Sequence, residues 1–262
     1  MKTFYKVMIS LLLGISLICI GISMGGLSQV SSLSYISHID FRWKAKQIED
    51  QEVTLQDIRQ LKIDVSSAQI HIYENDSLNT IQIKATQILE GFKITYHDDQ
   101  VKIKQPKYWW YRNSGDPVYI DIYVPKGYTF DTVEIDAGIG QSKLSGLNAK
   151  EIKVDVGAGQ MTLHQISCDI LDIDTGMGET TGDHITCRRE ADIDVGMGSS
   201  YLSLQGKEID YDYNVDVGIG NVIIGQQEFS GIADHKSYQG ELCKPLIKVS
   251  CGMGSVEIKM EE

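Results

Sequence analysis

The sequence predicts an all-β protein, a single-chain parallel β-solenoid preceded by one membrane-spanning helix. Three observations carry this. Six segments, VEIDAGIG, IKVDVGAG, LDIDTGMG, ADIDVGMG, YNVDVGIG and IKVSCGMG, place a Gly-x-Gly unit at Gly138, Gly157, Gly176, Gly196, Gly218 and Gly252. Before each unit, apolar and polar residues alternate with period two, the signature of a strand with one buried face. The chain has 25 glycines but only 4 prolines in 262 residues, a balance suited to tight turns between short strands.

Residues 1–6 contain Lys2 and Lys6, and the next 21, from Val7 to Leu27, carry no charge. That length spans a hydrocarbon core of about 30 Å. The run is longer than a signal-peptide core and no A-x-A site follows, so it is expected to stay as an anchor. The two lysines place the N-terminus in the cytoplasm and the rest of the chain outside the cell membrane. Ile18 before Cys19 departs from the lipoprotein pattern. Gly21 and Gly25 form a weak G-x-x-x-G helix-contact spacing. Residues 28–60 turn Ser-rich and then charged, as in a stalk or a cap over the first coil, with Trp43 suited to either a membrane interface or the cap.

The solenoid is expected over residues 61–262, with regular coils from about 131. It opens on a degenerate copy, LKIDVSSAQIHI, in which Ser66 and Ala68 replace the glycines. The strands TIQIKAT, GFKITYH, QVKIKQ and PVYIDIYVP, between Asp76 and Phe130, lack the turn and are read as wider coils of the same solenoid.

Successive first glycines are 19, 19, 20, 22 and 34 residues apart, so each copy is one coil. Leu144, Leu163, Leu202, Ile224 and Ile258 share one position after the turn, which predicts a second inward-facing strand. One coil buries too few side chains to offset fixing ~19 residues of backbone, so coils must stack at the ~4.8 Å strand spacing. The paired glycines are expected to adopt φ values closed to other residues and to hold neighbouring coils close. Between them stand Ile139, Ala158, Met177, Met197, Ile219 and Met253, a column read as core from its residue types. The chain ends in a strand, VEIKMEE, whose Glu257, Glu261 and Glu262 would discourage polymerisation at an open solenoid end.

The formal charge of −12 is unevenly placed: residues 131–262 carry 23 acidic and 10 basic groups. Such a field repels phosphate backbones and argues against a nucleic acid partner. Two residues before the first glycine, Asp136, Asp155, Asp174, Asp194 and Asp216 form an outward column, with Asp64 in the degenerate copy and Ser250 in the last. Carboxylates about 5 Å apart repel by roughly 1 kcal/mol in water. Either each Asp accepts amides of its own turn, or calcium bridges the rungs. No cofactor is otherwise expected.

Cys168 and Cys187 each lie eleven residues after their first glycine and should be stacked neighbours. An oxidising exterior permits a disulfide there; stacked free thiols are the alternative. Cys251 takes an inward position and Cys243 falls in the long loop. No C-x-x-C suggests zinc, and the six histidines show no metal spacing, although His164 and His184 fall on adjacent coils. The Gly-x-Gly units precede strands, not helices, which excludes a phosphate loop. No catalytic constellation emerges, and an enzyme is the least favoured class.

Two segments stand out as contacts for a ligand or partner. Tyr108, Trp109, Trp110 and Tyr111, flanked by Lys107 and Arg112, either form an exposed contact surface or plug one end of the solenoid. The insertion from Gln226 to Pro245, with Phe229, His235 and Tyr238, leaves the rigid scaffold as a loop suited to binding.

The anchor, the degenerate opening copy, the IYVP segment and the serial I-D-V-G-x-G coils together resemble the bacterial "putative adhesin" β-strand-repeat family of unknown function, over roughly residues 61–262. The resemblance implies a β-solenoid ectodomain of the kind linked with cell-surface adhesion or with envelope-stress signalling, and the function expected is a non-enzymatic surface scaffold that binds a protein or glycan, or else a partner-sensing component of an envelope stress system. It brings no catalytic residues.

Overall fold

The computed structural model describes residues 48–105, 117–230 and 244–261, and the backbone of 234–238. All of these lie within one compact unit, Lys44–Glu262. The Val7–Leu27 segment, Trp43 and the Tyr108–Tyr111 cluster lie outside the described residues. Among those described, no helix is long and apolar enough to cross a membrane.

The described residues form a mixed sheet of 17 strands. In order these are β1 (Gln51–Leu55), β2 (Gln60–Asn75), β3 (Ile81–Thr86), β4 (Lys93–His97), β5 (Gln100–Lys104), β6 (Val118–Pro125), β7 (Thr129–Ile139), β8 (Gln141–Val156), β9 (Gln160–Thr175) and β10 (Glu179–Val195). They continue as β11 (Ser199–Gln205), β12 (Asp212–Val217), β13 (Asn221–Ile224), β14 (Gln227–Ser230), β15 (Asp234–Tyr238), β16 (Leu246–Cys251) and β17 (Ser255–Glu261). A short 3-10 turn at Glu208–Asp210 precedes β12.

The strands before and after the turns build two ladders. Before the turn, β5, β2, β7, β8, β9, β10, β16 and β12 run parallel. After it, β6, β2, β8, β9, β10, β11, β17 and β13 do the same. Period two decides what faces inward: Ile63, Ile135, Val154, Ile173, Ile193, Val249 and Val215 from one ladder, and Leu144, Leu163, Leu202, Ile258 and Ile224 from the other, all join one buried core. Each such side chain contributes about 1.5–3 kcal/mol by leaving water. The alternation therefore fixes which face of every rung is closed.

Four parts of the sequence-based reading change. The strands between Asp76 and Phe130 are not all parallel coils: β3 runs antiparallel to β6 and β1, and β4 antiparallel to β5. Residues 51–60 are not stalk alone, because β1 joins the sheet and Leu55 and Ile58 are buried. Antiparallel strands also close the far end, where β14 pairs with β13 and β15 with β12. These additions cover the outermost parallel rungs, the exposed edge that a solenoid must manage.

The third change concerns order. The last copy does not end the stack. β16 lies between β10 and β12, and β17 between β11 and β13, so the sixth glycine pair sits between the fourth and fifth. Ser250 consequently separates Asp194 from Asp216, which are not neighbours. The C-terminal strand is interior, not an open end. The 34-residue spacing is the length needed to form the β14 and β15 edges and return beneath β12.

The fourth change concerns the turns. Of the repeat glycines, only Gly140 has a positive φ, of 146°. The others are required by proximity: a Cβ on Gly157 would lie 2.7 Å from the Gly138 carbonyl oxygen, and one on Gly176 would lie 2.8 Å from that of Gly157. The turn amides hydrogen-bond across this contact, with Ala158 N donating to Gly138 O and Met177 N to Gly157 O, each at 2.8 Å. Glycine is selected for stacking distance.

Candidate functional site

Because the turn backbones stack so tightly, the residue between each glycine pair is pushed outward. Ile139, Met177, Met197, Met253 and Ile219 are 57, 64, 55, 56 and 70% exposed. The column read as core is therefore a surface row. Residue type alone favoured burial, but the residue lies at the apex of a turn whose inner side is occupied by backbone.

Beside this row runs the aspartate column, with Asp155, Asp174, Asp194 and Asp216 exposed. Partial burial and the neighbouring carboxylates of Asp155, Asp194 and Asp172 hold Asp174 above the ordinary carboxylate range. Asp192 is also raised, mainly by burial, against the pull of Lys248. Two residues earlier in each strand, the charges alternate better: Lys62 pairs with Glu134, and Lys153 lies 3.7 Å from Asp172. Lys248 on the inserted strand reaches Glu190 at 2.7 Å. Among the described residues the aspartate column does not gather three metal-ligating groups at one point.

Such a gathering does occur on the outer face of the second ladder. His164 of β9 and Asp183 of β10 are in register, and His184 follows at a left-handed backbone position, φ 54°. Gly146 and Gln165 hold the same conformation in the two preceding coils, φ 68° and 52°. This corner of the coil turns His184 beside its neighbours. His164 Nδ1 lies 2.9 Å from both Asp183 carboxylate oxygens, and His184 Nδ1 lies 3.3 Å from Oδ2. The rings meet edge to face, 5.7 Å apart. Burial raises the Asp183 carboxyl, but hydrogen bonds from His164 and His184 outweigh this and hold it below the ordinary range. Glu261 of β17 lies 4.0 Å from His184 Nδ1.

The linear spacing hid this group. His164 and His184 occupy different offsets from their glycines, and it is Asp183 that falls opposite His164. The signal available was the equal offset of His164 and Asp183, seven residues after Gly157 and Gly176. Next to the group a groove of about 400 Å³ crosses the coils, lined by Glu74, Asn148, Gln165, Ser167, His184 and Gln205 among others. Further along the same face, Tyr73 stacks on Tyr123 at 6.0 Å, and His71 contacts Asp121 at 3.0 Å.

The remaining expected residues fall elsewhere. Cys168 and Cys187 are register partners as expected, buried and free as thiols. Cys187 beside it, together with burial, pushes the Cys168 thiol upward. Cys251 is buried as expected. Phe229, a candidate contact residue, is instead 7% exposed: it sits on β14 opposite Val222 and closes the core. His235 and Tyr238 lie on β15 opposite Asp216 and Tyr213, with their side chains outside the described residues. Tyr108, Trp109, Trp110 and Tyr111 lie outside the described residues altogether.

Solved structures are similar to this chain. A "putative cell adhesion protein" from Clostridium sporogenes superposes with a TM-score of 0.50 at 15% identity, over 81% of this chain and 99% of that one. A "putative adhesin" from Bacteroides fragilis gives 0.37 at 14% identity, over 82% and 97% of the two chains. No curated protein matches. The Toastrack DUF4097 family profile matches residues 58–246, from just before β2 to the start of β16, and the chain belongs to that family.

Proposed function

We propose that the protein is a non-enzymatic scaffold, held in the cell membrane by the Val7–Leu27 segment with its β-domain outside, that binds a protein partner along the row of turn apices. One observation carries this reading: Ile139, Ala158, Met177, Met197, Met253 and Ile219 are exposed in a single line. At the ~4.8 Å rung spacing the row is about 24 Å long. Contiguous exposed apolar surface of this kind marks contact sites, and methionine adapts readily to a partner's shape. The acidic column beside the row selects a partner with basic groups flanking its apolar strip. The fold's likeness to a protein described as a putative cell adhesion protein supports the reading. The Tyr108–Tyr111 cluster and the β14–β15 region, with His235 and Tyr238, are the further proposed contacts, for protein or glycan.

Site-specific photo-crosslinking from position 158, an exposed member of the same row, in intact cells tests the proposal. Wild-type flanks should capture a defined partner, and the triple variant M177S/M197S/M253S should lose it with little change in Tm. A partner on another cell or in the matrix identifies an adhesin. A membrane protein of the same cell identifies the alternative, a sensing component of the envelope. Capture that the triple variant leaves intact, or no capture, overturns the docking row.

A further inference from the structure

We propose that His164, Asp183 and His184 bind one divalent first-row transition metal ion, of the zinc or nickel class. The inference is independent of the docking row. Their ligand atoms all lie within 4.8 Å of one another. The two shorter separations, 2.9 and 3.3 Å, match the ~3.0–3.4 Å between neighbouring ligands on a cation with bonds of about 2.1 Å. Two imidazoles and one carboxylate suit zinc, nickel, cobalt or copper and disfavour calcium, which prefers oxygen ligands.

The surroundings favour a cation. The side chains are 37, 47 and 57% exposed, open enough for an ion to enter. The repeat half of the chain is strongly acidic, which raises local cation concentration. Glu261 Oε2 is held by Gln205 Nε2 at 2.6 Å, 4.0 Å from His184 Nδ1, and supplies a fourth donor after a side-chain rotation. That carboxylate reaches the group only because β17 is inserted beside β11. On binding, each imidazole coordinates through an unprotonated nitrogen: a neutral ring keeps its single proton on the other ring nitrogen, and a protonated ring releases one proton to solvent. His184 also lines the groove, so an ion here could carry a ligand's oxygen in an open coordination position.

The test is titration of the purified full chain, free of any histidine tag, with Zn²⁺ and Ni²⁺ by calorimetry, together with Co²⁺ absorption spectra. One ion per chain is expected, with micromolar affinity. H164Q and D183N should each weaken binding at least ~10-fold. H184N, which retains a residue tolerant of the left-handed backbone, should do the same while keeping the circular dichroism of the wild type. H71A is the control: His71 faces Asp121 in a comparable pair without a second histidine, and its loss should leave binding unchanged. Absence of binding tighter than about 1 mM, or equal binding by folded H164Q and H184N, overturns the site.

Discussion

Gly252 stacks directly on Gly196, 56 positions earlier in the chain: a Cβ on Gly252 would lie 2.7 Å from the Gly196 carbonyl oxygen. Gly218, which comes between them in sequence, stacks on the other side of Gly252, where its Cβ would lie 2.6 Å from Gly252 O. The sixth glycine pair in sequence thus belongs to a rung between the fourth and fifth.

Hydrogen exchange should reveal this placement. Amides of Ile247 and Val249 are expected to exchange as slowly as that of Ile173, because β16 has a parallel neighbour on each side. The edge strands β4 and β14 should exchange much faster. Fast exchange throughout β16 and β17 would contradict the insertion.

Gly159 tests the stacking argument. Its φ is not positive, and an added Cβ would meet Gly140 O at 2.6 Å. G159A is expected to destabilise by about 3 kcal/mol or more, since a backbone oxygen cannot move aside as a side chain can. M177A, at the exposed apex of the next turn, should stay within about 0.5 kcal/mol. Urea denaturation of both variants compares them, and equal small effects would remove proximity as the reason for glycine.

Asp174 carries a pH signature. Its folded-state pKa is raised above 3.8, so its contribution to stability is fully present below 3.8 and lost as pH rises through the raised value. At pH 7 the ionised group opposes folding through its partial burial and its carboxylate neighbours. D174N should therefore raise Tm at pH 7, with the gain shrinking as the pH falls towards 4, near the ordinary value. A gain that is constant with pH would exclude ionisation of Asp174 as its source.

Ser200 is fully buried between Thr180 and Val256, and its hydroxyl has no hydrogen-bond partner. Thr180 instead pairs with Thr175, Oγ1 to Oγ1 at 2.9 Å. S200A removes the unsatisfied group with little change of volume and should stabilise by about 1 kcal/mol. Thermal and urea denaturation measure it; destabilisation would mean that the hydroxyl is satisfied in solution.

The amino-acid sequence by itself determined the rung. Period-two alternation named the inward residues, because a strand with one closed face has no other solution, and Leu144, Leu163, Leu202, Ile224 and Ile258 are all buried where it placed them. Equal spacing also put Cys168 opposite Cys187. What tertiary structure alone decided was the order of the rungs and the role of the turns. Any rung with the same inward face can stack on any other, so nothing local distinguishes a final coil from one inserted at Gly196. Whether Met197 is core or surface depends on which side of the turn the neighbouring backbone fills. His164, Asp183 and His184 meet because a left-handed corner displaces one residue sideways across two strands. That juxtaposition belongs to the packing of coils, and no single coil contains it.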